Sequence, residues 1–387
     1  MSGGTAAAQE ARWSAPVYDQ LPFEPVKGDG VYLCTRDGRR LLDMYGGHAV
    51  ASLGYGHPGL LAALGKQAET MIFQSNAVPM AVRADACRAL AEFAPEGLDR
   101  VFLVNSGAEA NENALRLAFR RTGRTRVVAI EGAFHGRTGA AAAVTWGARE
   151  RWYGYPRLPF EVTFVPRDDE TALENAVAGD VAAVILEPVQ GLAGAVDLSD
   201  AFLARARSIC DAWGALLIFD EVQCGMGRSG HPFVAQAAGV TPDLLTTAKG
   251  LAGGFPAGAV IMGADIAGSL GPGDLGTTFG GGPLACAAIC AVLRAIHEEA
   301  LLERVQAVSA QIRATCVVGP VESIQGRGFL LGLRTRPRAA LVRDALLQRD
   351  IFAGTSADPH VLRLLPPLTL AADDADRLAG ALAEVGP

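Results

Sequence analysis

The chain contains 31 arginines but only three lysines, at positions 27, 66 and 249. Lys249 lies in the stretch TTAKGLAGGFP (246–256), among glycines and apolar residues and without a run of charges. A lysine amine can lose its proton when it is removed from water and then form a Schiff base, whereas an arginine stays charged. Lys249 is therefore either an ordinary loop lysine or an amine needed for covalent chemistry.

Two carboxylates follow an apolar run in the stretch LLIFDEVQ (216–223). At the carboxyl end of a parallel sheet, side chains point into the crevice where ligands bind. Asp220 could there pair with a protonated ring nitrogen, because an opposite charge favours the charged form. A salt bridge or a helix cap at the end of the strand would explain the same residues without a ligand.

Two further stretches could bind an anion. NSGAEANE (105–112) joins an apolar run to a helical pattern, so that free N–H groups and the helix dipole would both face the turn. GTTFGG (276–281) offers hydroxyl and N–H donors before a helix that begins at Pro283. An ordinary capped helix and a simple turn are the alternatives.

FHGRT (134–138) also follows an apolar run. Phe134 could stack on a flat ring, and the planar fork of Arg137 could bind a carboxylate. A phenylalanine in the core and an arginine on the surface would explain the same residues without a ligand. This stretch therefore indicates a binding site only in combination with the other motifs.

The stretch GMGRSG (225–230) has the GxGxxG spacing of dinucleotide-binding folds. Those folds need the glycines in the first turn after a strand and a long helix behind them. Here DEVQC intervenes after the strand, a His-Pro pair follows, and no acid ends a next strand at the required distance. These features argue against nicotinamide binding, which would also predict a protein without yellow colour.

The elements that would position these residues alternate along the chain. Continuous apolar runs predict strands buried on both faces, at 101–104, 127–130, 181–186, 215–219 and 258–262. Amphipathic patterns predict helices near 58–72, 81–94, 108–121, 199–213 and 283–297. This alternation indicates an α/β fold with a mostly parallel sheet.

The pattern changes near residue 300, where candidate strands at 328–333 and 361–365 lie among charged helices near 299–314, 339–349 and 371–385. We predict three parts: an N-terminal segment (1–55) that packs with a small domain, a large domain (56–298), and the small C-terminal α+β domain itself (299–387). The pattern of the N-terminal segment predicts two strands joined by a turn.

Composition excludes several classes of protein. Half of the residues are apolar, 19% are charged and the net charge is −7, which favours a well-buried globular protein and argues against a nucleic-acid partner. The apolar runs are too short for a membrane span, and no secretory signal is visible. Seven cysteines without a CxxC pair indicate reduced thiols and a cytoplasmic setting, and the six histidines have no metal-binding spacing.

Taken in order, NSGAEANE, FHGRT, EPVQG, LIFDEVQ, AKG and TTFGG resemble the class III, or ornithine-type, aminotransferases of fold type I, which use pyridoxal 5′-phosphate. The resemblance covers nearly the whole chain. Within the family it is strongest to the acetylornithine and succinylornithine aminotransferases, mainly through NSGAEANENALRLA and FHGRT.

The resemblance implies a role for each matching residue. Lys249 would carry the coenzyme as a Schiff base, and Asp220 would pair with its ring nitrogen. Other coenzyme contacts are implied for Ser106, Gly107, Ala108, Phe134, His135, Glu187, Val222, Gln223 and Thr278, the last reaching in from the other subunit of a homodimer. Substrate contacts are implied for Thr277 and for two carboxylate-binding arginines, Arg137 and Arg363.

The implied reaction is transfer of the terminal amine of an N-acyl-ornithine, acetyl or succinyl, to 2-oxoglutarate. It would yield the semialdehyde and glutamate in a ping-pong cycle of arginine biosynthesis. Alternatives on the same fold are an aminotransferase for free ornithine, 4-aminobutyrate or acyl-lysine type donors, and an aminomutase. A non-catalytic binding protein would have lost the lysine or the acid, and both are present.

Three positions depart from the family pattern. The family's EPVQGE ends in a Glu that pairs with the arginine matching Arg363, whereas this chain has Leu192. An unpaired arginine in a partly dry site is costly, so either another acid covers Arg363 or the donor brings a carboxylate. Gly282 replaces a frequent Asn, and His48 replaces an aliphatic residue. For His48 we favour a core position over one at the substrate mouth.

Overall fold

The computed structural model describes residues 6–386. Its helices are α1 Ala6–Trp13, α2 Gly46–Ala49, α3 Pro58–Thr70, α4 Ala81–Phe93, α5 Gly107–Thr122, α6 Gly139–Ala143, α7 Ala148–Arg151, α8 Glu170–Ala176, α9 Asp200–Trp213, α10 Val234–Ala238, α11 Ala264–Ala267, α12 Pro283–Glu298, α13 Leu301–Thr315, α14 Ala339–Leu347 and α15 Ala372–Glu384. A short 3₁₀ helix spans Lys249–Ala252.

The strands are β1 Pro25–Asp29, β2 Tyr32–Thr35, β3 Arg40–Asp43, β4 Arg100–Val104, β5 Arg126–Ile130, β6 Glu161–Val165, β7 Val181–Leu186, β8 Val189–Gln190, β9 Val196–Asp197, β10 Leu216–Asp220, β11 Leu244–Thr247, β12 Gly258–Met262, β13 Val321–Arg327, β14 Leu330–Thr335, β15 Ile351–Phe352, β16 Gly354–Thr355 and β17 Val361–Leu364. Every strand predicted from an apolar run is present, within two residues of the predicted bounds.

The largest sheet has seven strands in the order β4-β12-β11-β10-β7-β5-β6. The strands from β11 to β6 are parallel, and β12 is antiparallel to its neighbours β11 and β4. The predicted α/β fold with a mostly parallel mixed sheet is thus confirmed.

Helices cover both faces of this sheet, as continuous apolar strands require. Helix α5 packs on one face, where its buried alanines and leucines contact alternate residues of the strands. Helix α9 covers the other face, and that apolar core continues through α4 and α12. Because both faces are buried, the free edge for a ligand is the carboxyl end of the parallel strands.

A second, antiparallel sheet has the order β13-β14-β17-β16. The first three strands of the chain form a separate sheet with β15, which pairs in parallel with β3. The strand-turn-strand prediction for the N-terminal segment is confirmed. Where one domain ends and the next begins, at residues 55 and 298, stays a prediction.

Residues 6–386 contain neither a membrane-spanning helix nor a metal-binding cluster. No helix there is long and apolar enough to cross a membrane. No group of three or more His, Cys, Asp or Glu side chains in the same range is arranged to hold a metal ion. All seven cysteines are free thiols.

Candidate active site

A cavity of about 370 Å³ lies at the carboxyl ends of β4, β5 and β10. It brings together the turn after β4, the FHGRT stretch after β5, the end of β10 and the segment around Lys249. Its lining consists of Val50, Asn105, Ser106, Gly107, Ala108, Asn111, Phe134, His135, Gly136, Arg137, Asp220, Val222, Ala248, Lys249, Gly254, Phe255, Pro256 and Ala257. Nine of the predicted site residues therefore share one cavity.

The Asp220 carboxylate is buried and accepts three hydrogen bonds. Oδ2 accepts from Asn111 Nδ2 at 2.7 Å and lies 2.7 Å from His135 Nδ1, and Oδ1 accepts from the Val222 N–H at 3.0 Å. Since a carboxylate can only accept, His135 carries a proton on Nδ1 in this contact. The three donors fix the orientation of the Asp220 carboxyl group in the cavity.

Asn111 is a site residue that the sequence interpretation missed. Its amide also donates to the His135 carbonyl at 2.7 Å, and its Oδ1 accepts from Thr246 Oγ1 at 2.7 Å. Asn111 thereby ties α5, β11 and the FHGRT stretch to Asp220. A polar residue on the buried face of an amphipathic helix was the available signal, because such a group needs partners.

Lys249 begins the 3₁₀ helix with a φ of 43°, which is unusual for a residue with a side chain. Its amine has no hydrogen bond or ion pair within residues 6–386, although the side chain is only partly exposed. Burial lowers the pKa of Lys249, while the charges of Asp220 and Glu187 act in the opposite direction. Such an amine is closer to its reactive neutral form than a surface lysine.

The turn before α5 presents unused N–H donors to the cavity. Ser106 is the N-cap, and its Oγ accepts from the Glu109 N–H at 3.2 Å. The N–H groups of Gly107 and Ala108 have no acceptor in the described chain. A Cβ at Gly107 would lie 2.7 Å from Val222 Cγ1, so the close approach of the two segments requires glycine.

Glu187 lies behind Phe134 instead of lining the cavity. Its Oε1 accepts from the Phe134 N–H at 2.8 Å, and its Oε2 accepts from the Gly191 N–H at 3.3 Å. Burial, together with the negative charge of Asp220, raises the pKa of Glu187 to about 7. Glu187 fixes the backbone of the FHGRT stretch.

Arg137 stands between the cavity and an outer cleft of about 930 Å³. Its guanidinium lies 4.5 Å from the ring centroid of Trp152 and forms no ion pair in the described chain. Leu192 also lines the outer cleft, and 38% of its surface is exposed. Arg137 is thus available to an anion that enters from the cleft.

Arg363 is only 3% exposed and does not line the cavity. Its Nε donates to the Thr355 carbonyl at 2.7 Å, Nη1 to the Gly191 carbonyl at 3.2 Å and Nη2 to the Tyr45 hydroxyl at 3.2 Å. Within residues 6–386 no carboxylate pairs with it. Of the two predicted solutions for Arg363, cover by another acid is not found among the described residues.

The core position favoured for His48 is wrong. The residue is exposed, in a four-residue turn (46–49) with left-handed φ values throughout, and its Nδ1 lies 2.6 Å from the Tyr45 hydroxyl. Its carbonyl accepts from Gln223 Nε2 at 3.3 Å. The left-handed turn that exposes His48 could not be predicted from the sequence.

The remaining predicted residues lie outside the cavity. Thr277 Oγ1 accepts from the Gly280 N–H at 3.0 Å and from Asn105 Nδ2 at 3.3 Å, which ties its loop to the turn before α5. Thr278 is exposed, and its side chain has no hydrogen bond in the described chain. The GxGxxG stretch packs against α13 at Leu302 and Gln306 and does not line the cavity.

Comparison with known proteins gives consistent likenesses over the whole chain. The family model for class-III aminotransferases matches residues 13–385. An acetylornithine aminotransferase of Methanopyrus kandleri is 41% identical over 371 residues, which cover 95% of this chain and 95% of that protein. One of Streptomyces coelicolor is 43% identical over 376 residues, 94% of this chain and 90% of that protein.

Among solved structures, an ornithine aminotransferase of Toxoplasma gondii has a TM-score of 0.92 at 30% identity, covering 98% of this chain and 92% of that one. That crystal structure contains pyridoxal phosphate at partial occupancy in its active site. The region matched by the family model includes every residue that lines the cavity.

Proposed function

This chain belongs to the class-III aminotransferases, and on that premise we propose that it transfers the terminal amine of N-acetylornithine to 2-oxoglutarate with pyridoxal 5′-phosphate as coenzyme. The observation that carries the proposal is the shared cavity. An unpaired lysine amine, a buried carboxylate and a turn with two unused N–H donors all face the same space.

The residues present fit this coenzyme. Two free N–H groups at a helix N-terminus suit a phosphate, and the Asp220 anion suits a protonated ring nitrogen. When bound, pyridoxal phosphate supplies an aldehyde that joins amines and a ring that withdraws electrons from the carbon bearing the amine. Ser106, Gly107 and Ala108 would hold its phosphate, while Phe134, His135 and Val222 would surround its ring.

Lys249 is the proposed catalytic base. Its Nζ would take the proton from the carbon of the substrate that bears the amine and later return a proton. The lowered pKa of Lys249 supports this role, because a base needs a neutral form at the working pH. Lys249 is also the proposed site of covalent attachment of the coenzyme.

Asp220 would hold the proton on the ring nitrogen. Asn111, His135 and the Val222 N–H keep the carboxylate oriented, so that it does not need to rearrange when charge develops. Glu187 would support Phe134 from behind, and Gln223 would contact the ring hydroxyl.

The donor would enter from the outer cleft. Arg137 would bind its carboxylate with the planar guanidinium, and the cleft would take the acyl group. Arg363 would bind a carboxylate of 2-oxoglutarate. The relatives named for acetylornithine support that donor, and succinylornithine is the alternative acyl donor.

We further propose that the enzyme is a homodimer. Large apolar side chains are exposed around the loop of Thr278, namely Met71, Ile72, Phe73, Val78 and Phe279. Phe73 and Phe279 pack with tilted rings whose centroids lie 5.4 Å apart, which brings the two exposed segments together as an apolar patch. A patch of this kind is typical of a protein interface. Burial of the patch against a second subunit would place Thr278 near the partner's cavity. Free thiols agree with a place in the cytoplasm, within arginine biosynthesis.

The test is a donor comparison on the purified protein. The preparation should be yellow, and N-acetylornithine with 2-oxoglutarate should yield glutamate faster than free ornithine does; N-succinylornithine is assayed beside them. A Lys249→Arg variant keeps the charge and should lose turnover. A colourless protein that stays colourless with added coenzyme, or turnover retained in the variant, would refute the proposal. A reaction without glutamate would indicate an aminomutase.

A further inference from the structure

Arg363 has a partner in this chain that could not be foreseen from its motif. Two of its three acceptors are backbone carbonyls, of Thr355 in β16 and of Gly191 in the turn after β8, which can move away only if the backbone moves. The third is the Tyr45 hydroxyl, which belongs to a side chain. The contact that a carboxylate can displace without moving the backbone is therefore the one with the Tyr45 hydroxyl.

The hydrogen-bond roles of Tyr45 are determined by its neighbours. Arginine only donates, so the Tyr45 oxygen accepts from Nη2 and the Tyr45 proton is free to go elsewhere. His48 Nδ1 lies 2.6 Å away and is placed to accept that proton. The histidine is then neutral, with its own proton on Nε2. Partial burial and the nearby charges of Arg363 and Lys249 lower the pKa of His48, which agrees with a neutral ring.

The backbone conformation at residues 46–49 brings His48 into contact with Tyr45. Gly46, Gly47, His48 and Ala49 all have left-handed φ values, from 55° to 68°, and such values are unfavourable for the two residues with a Cβ. The turn is fastened by Asp43, whose carboxylate accepts from the Gly46 N–H at 2.9 Å. It brings the His48 ring to 4.7 Å from the Tyr45 ring, between centroids. Strained backbone of this kind often marks a functional position.

We propose that Tyr45, oriented by His48, is the uncharged cover of Arg363 and determines how tightly this site binds a substrate carboxylate. The inference rests on the proposed function of Arg363 as the 2-oxoglutarate ligand. A carboxylate that displaces a phenol breaks one hydrogen bond, whereas one that displaces a glutamate must also break an ion pair. In this chain Leu192 stands where such a glutamate would be, so the guanidinium keeps its full positive charge toward an incoming anion.

The inference is tested by the binding of glutarate, an unreactive dicarboxylate analogue of 2-oxoglutarate, to the coenzyme-loaded enzyme by calorimetry. Tyr45→Phe removes the competing hydroxyl, and we expect glutarate to bind about tenfold more tightly, the factor for one hydrogen bond to a charged group. The KM for 2-oxoglutarate should fall as well, while the KM for the amine donor stays unchanged. Unchanged or weaker glutarate binding would overturn the proposal. Arg363→Gln, as the control for the binding site, should abolish binding, and full binding there would equally overturn it.

His48 offers a matched pair of variants that leaves the Tyr45 ring in place. Asn tolerates a left-handed φ, and its Oδ1 stands where His48 Nδ1 does, so His48→Asn should retain the wild-type affinity for glutarate. His48→Gly keeps the backbone free but removes the acceptor, so glutarate should bind more tightly, in the same direction as for Tyr45→Phe. A His48→Asn variant that behaves like His48→Gly would contradict the orienting role.

The same preparations separate this inference from the proposed function. A missing yellow band or missing glutamate would refute the function. A normal band and normal glutamate formation, with glutarate affinity unmoved by Tyr45→Phe and His48→Gly, would refute the uncharged cover alone.

Discussion

Lys249 and Asp220 illustrate how the site depends on single residues in uncommon surroundings. Lys249 combines a positive φ with an amine that has no partner in the described chain, and Asp220 combines burial with three donors. Neither arrangement stabilises the fold by itself, because unpaired or desolvated charges are costly. Both arrangements are suited to the binding of a charged, planar ligand.

Asp220→Asn tests the proposed role of the buried anion. The amide would bring N–H donors toward Asn111 and His135, which already donate, and it could no longer hold a proton on a ring nitrogen. We expect kcat to fall by about a thousandfold or more and the coenzyme to bind more weakly, as measured by glutamate formation and by absorbance titration. A kcat within tenfold of the wild type would contradict the assigned role.

Gly107→Ala tests the close approach of α5 to Val222. The added Cβ would lie 2.7 Å from Val222 Cγ1, so the turn that offers its N–H groups to the cavity must shift. We expect coenzyme affinity to fall by at least about tenfold, measured by titration of the coenzyme-free protein. Gly65→Ala is the matched control, because a Cβ at that position in α3 meets nothing within 4 Å. Equal affinities in the two variants would show that the turn is not constrained.

At the level of elements, the apolar runs identified the strands but not their directions. β12 is as apolar as β7 or β10, yet it is antiparallel to its neighbours, and a continuous apolar run carries no information on direction. Strand β11 was not predicted, since LLTT is short and half polar; its threonines are buried, and Thr246 bonds to Asn111. Tertiary contacts of this kind were not visible in the sequence.

The residues that line the cavity were predicted better than the residues that hold them in place. Motifs at the ends of strands identified Lys249, Asp220 and Phe134, and the cavity brings these three together. Asn111 was missed because it lies within a helical pattern, and the contact of Tyr45 with Arg363 joins residues 318 positions apart. The assignment of roles within the coenzyme site stays a prediction.

Glu221, which contacts the start of α10, makes the stability of the fold depend on pH. Its carboxylate is buried and accepts from the Val234 and Ala235 N–H groups, at 2.7 and 2.8 Å, at the start of α10. Burial raises the pKa of Glu221 from 4.5 to about 7. The folded state therefore favours the protonated carboxyl group. The contribution of this group to the stability of the fold is fully present below pH 4.5 and is lost as the pH rises through about 7.

We expect the free energy of unfolding of the coenzyme-free protein to decrease from pH 5 to pH 8, with a contribution from Glu221 on the order of 2 kcal/mol. Glu221→Gln should make this decrease smaller, as measured by denaturant titrations across the range, and the part that remains is expected from Glu187, whose pKa is also raised to about 7. The exposed Glu96, changed to Gln, is the control and should leave the profile as it is. A profile unaffected by Glu221→Gln would contradict the raised pKa.

At the scale of the whole molecule, the apolar patch beside Thr278 predicts assembly. Ile72 is 65% exposed in that patch, and a charge there should oppose burial against a second subunit. We expect Ile72→Asp to convert a dimer into a monomer in light scattering and to weaken coenzyme binding, since Thr278 would no longer reach the partner's cavity. Leu341→Asp, at a residue 62% exposed on α14, should remain dimeric. A monomeric wild-type protein would refute the assembly.

The central claim is that Lys249 carries the coenzyme, and the near absence of lysine makes this claim easy to measure. Treating the yellow enzyme with borohydride reduces an imine to a stable secondary amine, which mass spectrometry of the peptides can locate. The account predicts one phosphopyridoxyl group per chain, on the peptide that contains Lys249. Modification of Lys27 or Lys66 in its place, or an unmodified Lys249 in a protein that was yellow before reduction, would contradict it.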